Sequence, residues 1–298
     1  MGSRGWLLFI AMSVIWGIPY LMIKVAVEGV SVPVLVLART AVGAAVLLPM
    51  ALSRSLPAMI RTHWKALLGF SFFEIIAAWF LLSDAERHLT SSMTGLLIAA
   101  SPIIAAVLDR FTGGEQQLGV RRVAGLGVGL AGVAVLAGPH LTGGTAWPIV
   151  EVLLVATCYA IAPLIAARYL ADVPALPMTA ACLGFAAVVY AAPAAATWPA
   201  ELPAPRVLLA LAGLAIVCTA LGFIVFFALI REVGPARALV FTYVNPAVAL
   251  LGGVLVLNEA LTAVNVVALV LILVGCVLAT HRPGEPGPDL QYDEHVAR

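Results

Sequence analysis

Charge is what this sequence has least of. Asp, Glu, Lys and Arg make up 10% of its 298 residues and apolar types 63%, against about a quarter charged and just under half apolar in ordinary soluble domains. A water-soluble fold of this size has no interior large enough to hide that much apolar surface. The 16 basic and 15 acidic residues nearly cancel, so no basic field exists to attract nucleic acid. Cysteine is scarce as well. Cys158, Cys182, Cys218 and Cys276 all fall inside apolar runs, with no CxxC pair and no histidine beside them. That pattern suggests neither a disulfide framework nor a zinc site, and the four are expected to be small core residues. A GxxxxGK[ST] phosphate loop is missing, so ATP drive within this chain is not expected. The five histidines, His63, His88, His140, His281 and His295, lie in loops or the tail, and HExxH and paired intramembrane aspartates are absent. Nothing here points to a membrane-embedded enzyme, and no metal or cofactor is expected.

What the sequence has instead is long apolar runs. A membrane-spanning helix needs about 20 mostly apolar residues, and ten such segments can be read, at 5–27, 33–52, 65–83, 91–109, 119–138, 147–167, 176–197, 206–230, 236–256 and 261–280. The expected fold class is all-α: a polytopic membrane protein of ten transmembrane helices. The opening MGSRGWLLFIAMSVIWG has the basic start of a signal peptide. Its apolar run continues to Val27, however, and no A-x-A site follows, so it is expected to be a retained first helix. The tail 281–298, rich in Pro, Gly and acid, is expected to be disordered.

Lys and Arg collect on cytoplasmic loops. With the N-terminus inside, the inner face receives Arg4, Arg54, Arg61, Lys65, Arg110, Arg121, Arg122, Arg168, Arg231, Arg237, Arg282 and Arg298, and the outer face only Arg87 and Arg206. Both termini are therefore expected in the cytoplasm, and the Ala-, Gly- and Val-rich composition suggests a bacterial inner membrane. Trp6, Trp64, Trp79, Trp147 and Trp198 fall near predicted helix ends, where indole rings favour the headgroup layer; Trp16 alone reads as deep.

An internal repeat runs at a fixed offset of 144 residues. It pairs Pro19 with Pro163, Pro33 with Pro177, Pro49 with Pro193, Pro102 with Pro246, Lys24 with Arg168 and Glu115 with Glu259. Four of the five prolines between residues 13 and 115 find a proline partner, which chance does not supply. The expected units are residues 1–140 and 145–280, two five-helix copies followed by the tail. Five is odd, so the second copy enters the membrane from the opposite side and the repeats are inverted. Inverted repeats supply two nearly equivalent packings with a binding site at mid-depth between the halves. Secondary transport of a small-molecule substrate within the lipid bilayer is the leading expectation; a passive channel stays open as the alternative, as does the choice between monomer and homodimer.

The residues also resemble a known family. VIWGIPYLMIKVAVEGVSVPVLVLARTAVGAAVLLP (14–49), SPIIAAVLDRFTGGEQ (101–116) and NPAVALLGGVLVLNEALT (245–262) are similar to the drug/metabolite transporter superfamily of the EamA type. That resemblance implies ten helices, cytoplasmic termini, and efflux or exchange of amino acids, related metabolites or drugs. The second copy departs from the pattern, with Tyr159-Ala160 near the tryptophan-glycine position and Leu183 opposite Arg39.

Several residues are candidates for the site. Glu74 lies mid-helix in GFSFFEIIAAWF, where an ionised side chain costs at least ~2.5–3.5 kcal/mol unless it meets a partner or a polar cavity. It reads as a protonatable carboxylate coupling protons to transport, as a binder of a substrate amine, or as half of a structural ion pair. Arg39 is its expected partner, since a rise of 1.5 Å per residue puts the two ~9 and ~13 Å below the same end of neighbouring helices. In the first helix Ser13, Gly17, Tyr20 and Lys24 share a face flanked by Trp16. Trp16 and Tyr20 would stack on substrate and Lys24 would attract a carboxylate, or the aromatics fill the core and Lys24 snorkels beside Glu28. Tyr159, Thr242 and Asn245 complete the candidate binding set. Pro102 and Pro246 each free a backbone carbonyl and mark kinks suited to gating or binding. Glu115 and Glu259 read as caps on the fifth and tenth helices, and Gly125 with Gly129 as a close-packing face that makes the fifth helix scaffold.

Overall fold

A computed structural model describes residues 2–52, 56–111, 120–138 and 146–280, and within them the chain consists of helices joined by short turns and links, with no strand. The Glu115 expectation, the 140/145 boundary and the tail fall outside the described residues. Ten apolar helical segments follow one another: α1 (Ser3–Ile15 and Pro19–Ala26), α2 (Val32–Ala51), α3 (Leu56–Ala85), α4 (Ser91–Ile98 and Ser101–Phe111), α5 (Val120–Ala137), α6 (Ala146–Tyr169), α7 (Ala175–Ala196), α8 (Pro205–Val233), α9 (Pro235–Ala238, Leu239–Tyr243 and Asn245–Leu257) and α10 (Ala263–Thr280). Among the described residues seven of these are long and apolar enough to cross a membrane on their own, and three are shorter apolar helices. The third begins nine residues earlier than the apolar run suggests. Arg61, His63 and Lys65 interrupt that run, but they share their stretch with exposed Trp64 while Leu56 and Leu67 are buried, so the amphipathic turns stay helical.

Helices pack against their own repeat mates: α2 on α7, α4 on α9 and α5 on α10, while α3 on α6 mirrors α8 on α1. The mates run antiparallel. Ser31, which caps α2, hydrogen-bonds Thr197 just past α7 (Oγ to Oγ1, 2.7 Å), Gly129 and Gly132 of α5 abut Gly275 and Ile272 of α10, and Gly95 of α4 abuts Ala249 of α9. Antiparallel mates place the pseudo-two-fold axis in the plane of the bilayer, so the repeats are inverted. The α5–α10 contact uses the expected small-residue face, where absent side chains let two backbones touch and dispersion accumulates.

Five stretches depart from α geometry, and proline causes three. Pro19 offers no N–H to Ile15 and its ring crowds that turn, so α1 breaks at Trp16–Ile18, with Gly17 N reaching Val14 O at 3.0 Å. α4 breaks at Ala99–Ala100 ahead of Pro102, and α9 tightens to a 3-10 turn at Leu239–Tyr243 ahead of Pro246. α3 and α8 instead widen into π-helical segments at Phe72–Ile76 and Gly213–Leu221, which overlap at the repeat offset. Pro163, the mate of Pro19, leaves α6 continuous.

Candidate functional site

All five irregular stretches converge on one cavity of about 320 Å³. Non-helical backbone at membrane depth is tolerated where protein or a polar cavity satisfies it, and local partners do much of that here. The Ser101 hydroxyl donates to Ile98 O (2.6 Å), and the Asn245 amide faces the carbonyls of Ser13 and Phe241 (3.1 Å each). Within the α8 π-segment the Thr219 hydroxyl donates to Leu214 O (2.8 Å).

The wall gathers Trp16, Tyr20, Arg39, Glu74, Pro102, Tyr159, Thr242, Asn245 and Pro246, which is every residue of the expected site except one. Lys24 stands outside. It is the correction at the mouth: its ammonium donates to the backbone carbonyls of Glu86 and Leu89 (2.7 Å each) and tethers the end of α1 to the α3–α4 link. Glu28, expected beside it, pairs with Arg206 at 2.6 Å.

Arg39 and Glu74 both face the cavity, but among the described residues no ion pair joins them. This overturns the expected pair. The Arg39 guanidinium lies over the Trp79 ring, 3.9 Å from its centroid, and Nε donates to Thr219 Oγ1 (3.3 Å), so an aromatic face and a hydroxyl hold it in place of a carboxylate. Trp79 is 7% exposed; it belongs to the site, not to the headgroup layer, because α3 runs past it to Ala85. The cavity thus carries a buried cation and a half-buried carboxylate that do not neutralise each other. Their repeat mates, Leu183 and Cys218, are uncharged.

Trp16 packs among Phe223, Phe226 and Phe241 with ring centroids 5.0–5.5 Å away, and its Nε1 donates to Cys218 O (3.0 Å), yet it also lines the chamber. Sequence reasoning missed Trp79 and Thr219. The Arg39 stack depends on the crossing of α2 and α3, and the Thr219 contact on α2 meeting the π-segment of α8.

Glu259 requires a further correction. It does not cap α10; it crosses to the other repeat and accepts from Ser91 N (2.8 Å), Ser91 Oγ (3.0 Å), Ser92 N (3.0 Å) and the Ser92 hydroxyl, capping α4. Asn258, with φ of 55°, turns the chain out of α9 so that the carboxylate can reach.

Comparisons with known proteins agree with this geometry. The profile of the EamA-like transporter family matches residues 3–138 and again 146–280. The chain is 26% identical over 277 residues to a protein of Escherichia coli strain K12 described as the uncharacterized inner membrane transporter YedA, covering 91% of this chain and 88% of that one. It is 23% identical to the uncharacterized transporter YvbV of Bacillus subtilis strain 168, covering 99% and 98%. A solved crystal structure at 21% identity superposes with a TM-score of 0.65 over 94% of this chain and 98% of the other, a likeness of fold.

Proposed function

The chain belongs to the EamA-like transporter family, and from that premise we propose that it is a secondary carrier of small zwitterionic, amphipathic metabolites. The observation that carries this reading is the unpaired Arg39 and Glu74 on the wall of one aromatic chamber. Small-ligand sites have volumes of about 300–1,000 Å³ and combine an apolar lining with a few placed polar groups, and this cavity meets both conditions. A solute carboxylate would meet Arg39, its amine would meet Glu74, and its apolar body would lie against Trp16, Trp79 and Tyr159. Binding the amine and binding a proton exclude each other at Glu74, which is the exchange that a proton-driven antiporter requires.

Beyond Tyr20 the chamber is shut by the Lys24 tether and the Glu259 cap. Its wall continues toward the opposite end as far as Leu239, which is 51% exposed. One closed end supports alternating access over a continuous pore. With the orientation expected from loop charge, the closed end faces outward and the chamber opens to the cytoplasm of a bacterial inner membrane. The test is a thermal-shift screen of the purified protein followed by liposome counterflow. α-Amino acids with apolar or aromatic side chains should raise the melting temperature and exchange, while their N-acyl and decarboxylated forms should do neither. Equal responses from the charge-blocked analogues would reject the zwitterion reading.

A further inference from the structure

A second carboxylate sits at the closed end. Glu86 follows α3 directly; it is 0% exposed, and among the described residues neither of its carboxylate oxygens has a hydrogen-bond partner. The groups facing it are few. From α1 come Lys24, whose ammonium is held by the carbonyls of Glu86 itself and Leu89, and Tyr20; from the α9–α10 link comes Glu259, held by Ser91 and Ser92. On its own helix the nearby Ser83 hydroxyl is also buried and unpartnered, and Asp84 is paired with Arg87 (3.2 Å) and interacts with Glu151 of α6. Every nearby donor is thus engaged elsewhere or leaves the carboxylate unbonded.

We propose that Glu86 is the proton-operated latch of the outer end, neutral while that end is shut and ionised once it opens. The inference rests on the carrier reading above. A buried carboxylate without donors is strongly disfavoured as an anion, whereas burying the neutral acid beside the Lys24 tether costs far less. Burial pushes the Glu86 carboxyl well above the usual carboxylate range; the negative charge of Glu259 adds to the rise and Lys24 opposes it. In an opened end the carboxyl would meet water and return toward its ordinary value of about 4.3. The closed state therefore binds the proton more tightly than the open one. Its advantage is complete below the open-state value and is lost as pH rises toward the closed-state value, by up to about tenfold per pH unit. Acid outside shuts the outer end and alkali releases it.

The test follows the solvent access of Met93, which is 5% exposed in the first turn of α4. Met93→Cys in the full chain, reconstituted in liposomes, is treated with a membrane-impermeant maleimide and the label is located by peptide mass. The rate is divided by that of exposed Thr90→Cys, which removes the intrinsic pH dependence of the thiol. Between about pH 5 and 8 the ratio should climb by up to about tenfold per unit. Glu86→Gln, neutral at every pH, should hold it at the acid value. A flat ratio in the parent protein overturns the proposal, as does a Glu86→Gln variant that still responds; Glu86→Met gives the same reading if the glutamine variant does not assemble. No solute is present in this assay, so its failure removes the latch and leaves the carrier reading to the binding screen.

Discussion

Arg39 stands in a low-dielectric wall, and what holds it there is the face of Trp79 and one hydroxyl. A guanidinium suits that seat because it is planar and weakly hydrated, whereas an ammonium of equal charge is neither. Arg39→Lys is therefore expected to cost about 1 kcal/mol of stability, seen as a lower melting temperature in detergent. Exchanging the charges, Arg39→Glu together with Glu74→Arg, should recover no more folded protein than the worse single change. Substantial recovery would reinstate the ion pair. The same scale explains why the sequence pointed to the wrong partner: helical rise fixes the depth of each residue along its own axis, but which neighbour a side chain meets depends on rotation about that axis.

At the scale of the element, irregular backbone is concentrated where the chamber lies. Proline foretells the breaks in α1, α4 and α9, because its ring removes a donor and crowds the preceding turn. No residue type announces the π-segments in α3 and α8, which set the positions of Glu74 and Thr219. Glu259 is likewise an inter-element device. Its carboxylate takes four hydrogen bonds from the first residues of α4, joining the two repeats at the closed end and meeting the positive end of the α4 dipole. Glu259→Gln should lower stability by about 2 kcal/mol, read by thermal denaturation. A further Ser92→Ala change should add less in that background than in the parent, since the two share one bond. Additive losses would mean that Ser92 and Glu259 are not coupled.

For the whole molecule, inversion makes each contact at one end a template for the other. Lys24 maps onto Arg168, and its acceptors at Glu86 and Leu89 map onto Ile230 and Val233. Here the Lys24 tether is made, while Arg168 is exposed beside the Tyr169 ring (5.6 Å) and makes no equivalent bond among the described residues. The proposed carrier cycle exchanges the two. Lys24→Met should raise hydrogen exchange across residues 86–93 and lower it across 230–237 as Arg168 takes up its carbonyls. Loosening at both ends together would argue against rocking halves. By itself the sequence determined the membrane solvent, the ten helices and the inverted duplication, because apolar length and proline spacing are local properties that any packing must respect. It also named nine residues of the cavity wall, since an ionisable or proline-broken position in a bilayer needs compensation wherever it lies. Only the tertiary structure decided that Arg39 stacks on Trp79, that Lys24 ties the end of α1 to the α3–α4 link, that Glu259 caps a helix of the other repeat, and that Glu86 is buried with no hydrogen-bond partner among the described residues. Those outcomes turn on helix rotation and on contacts between residues up to 168 positions apart, which no one-dimensional spacing encodes.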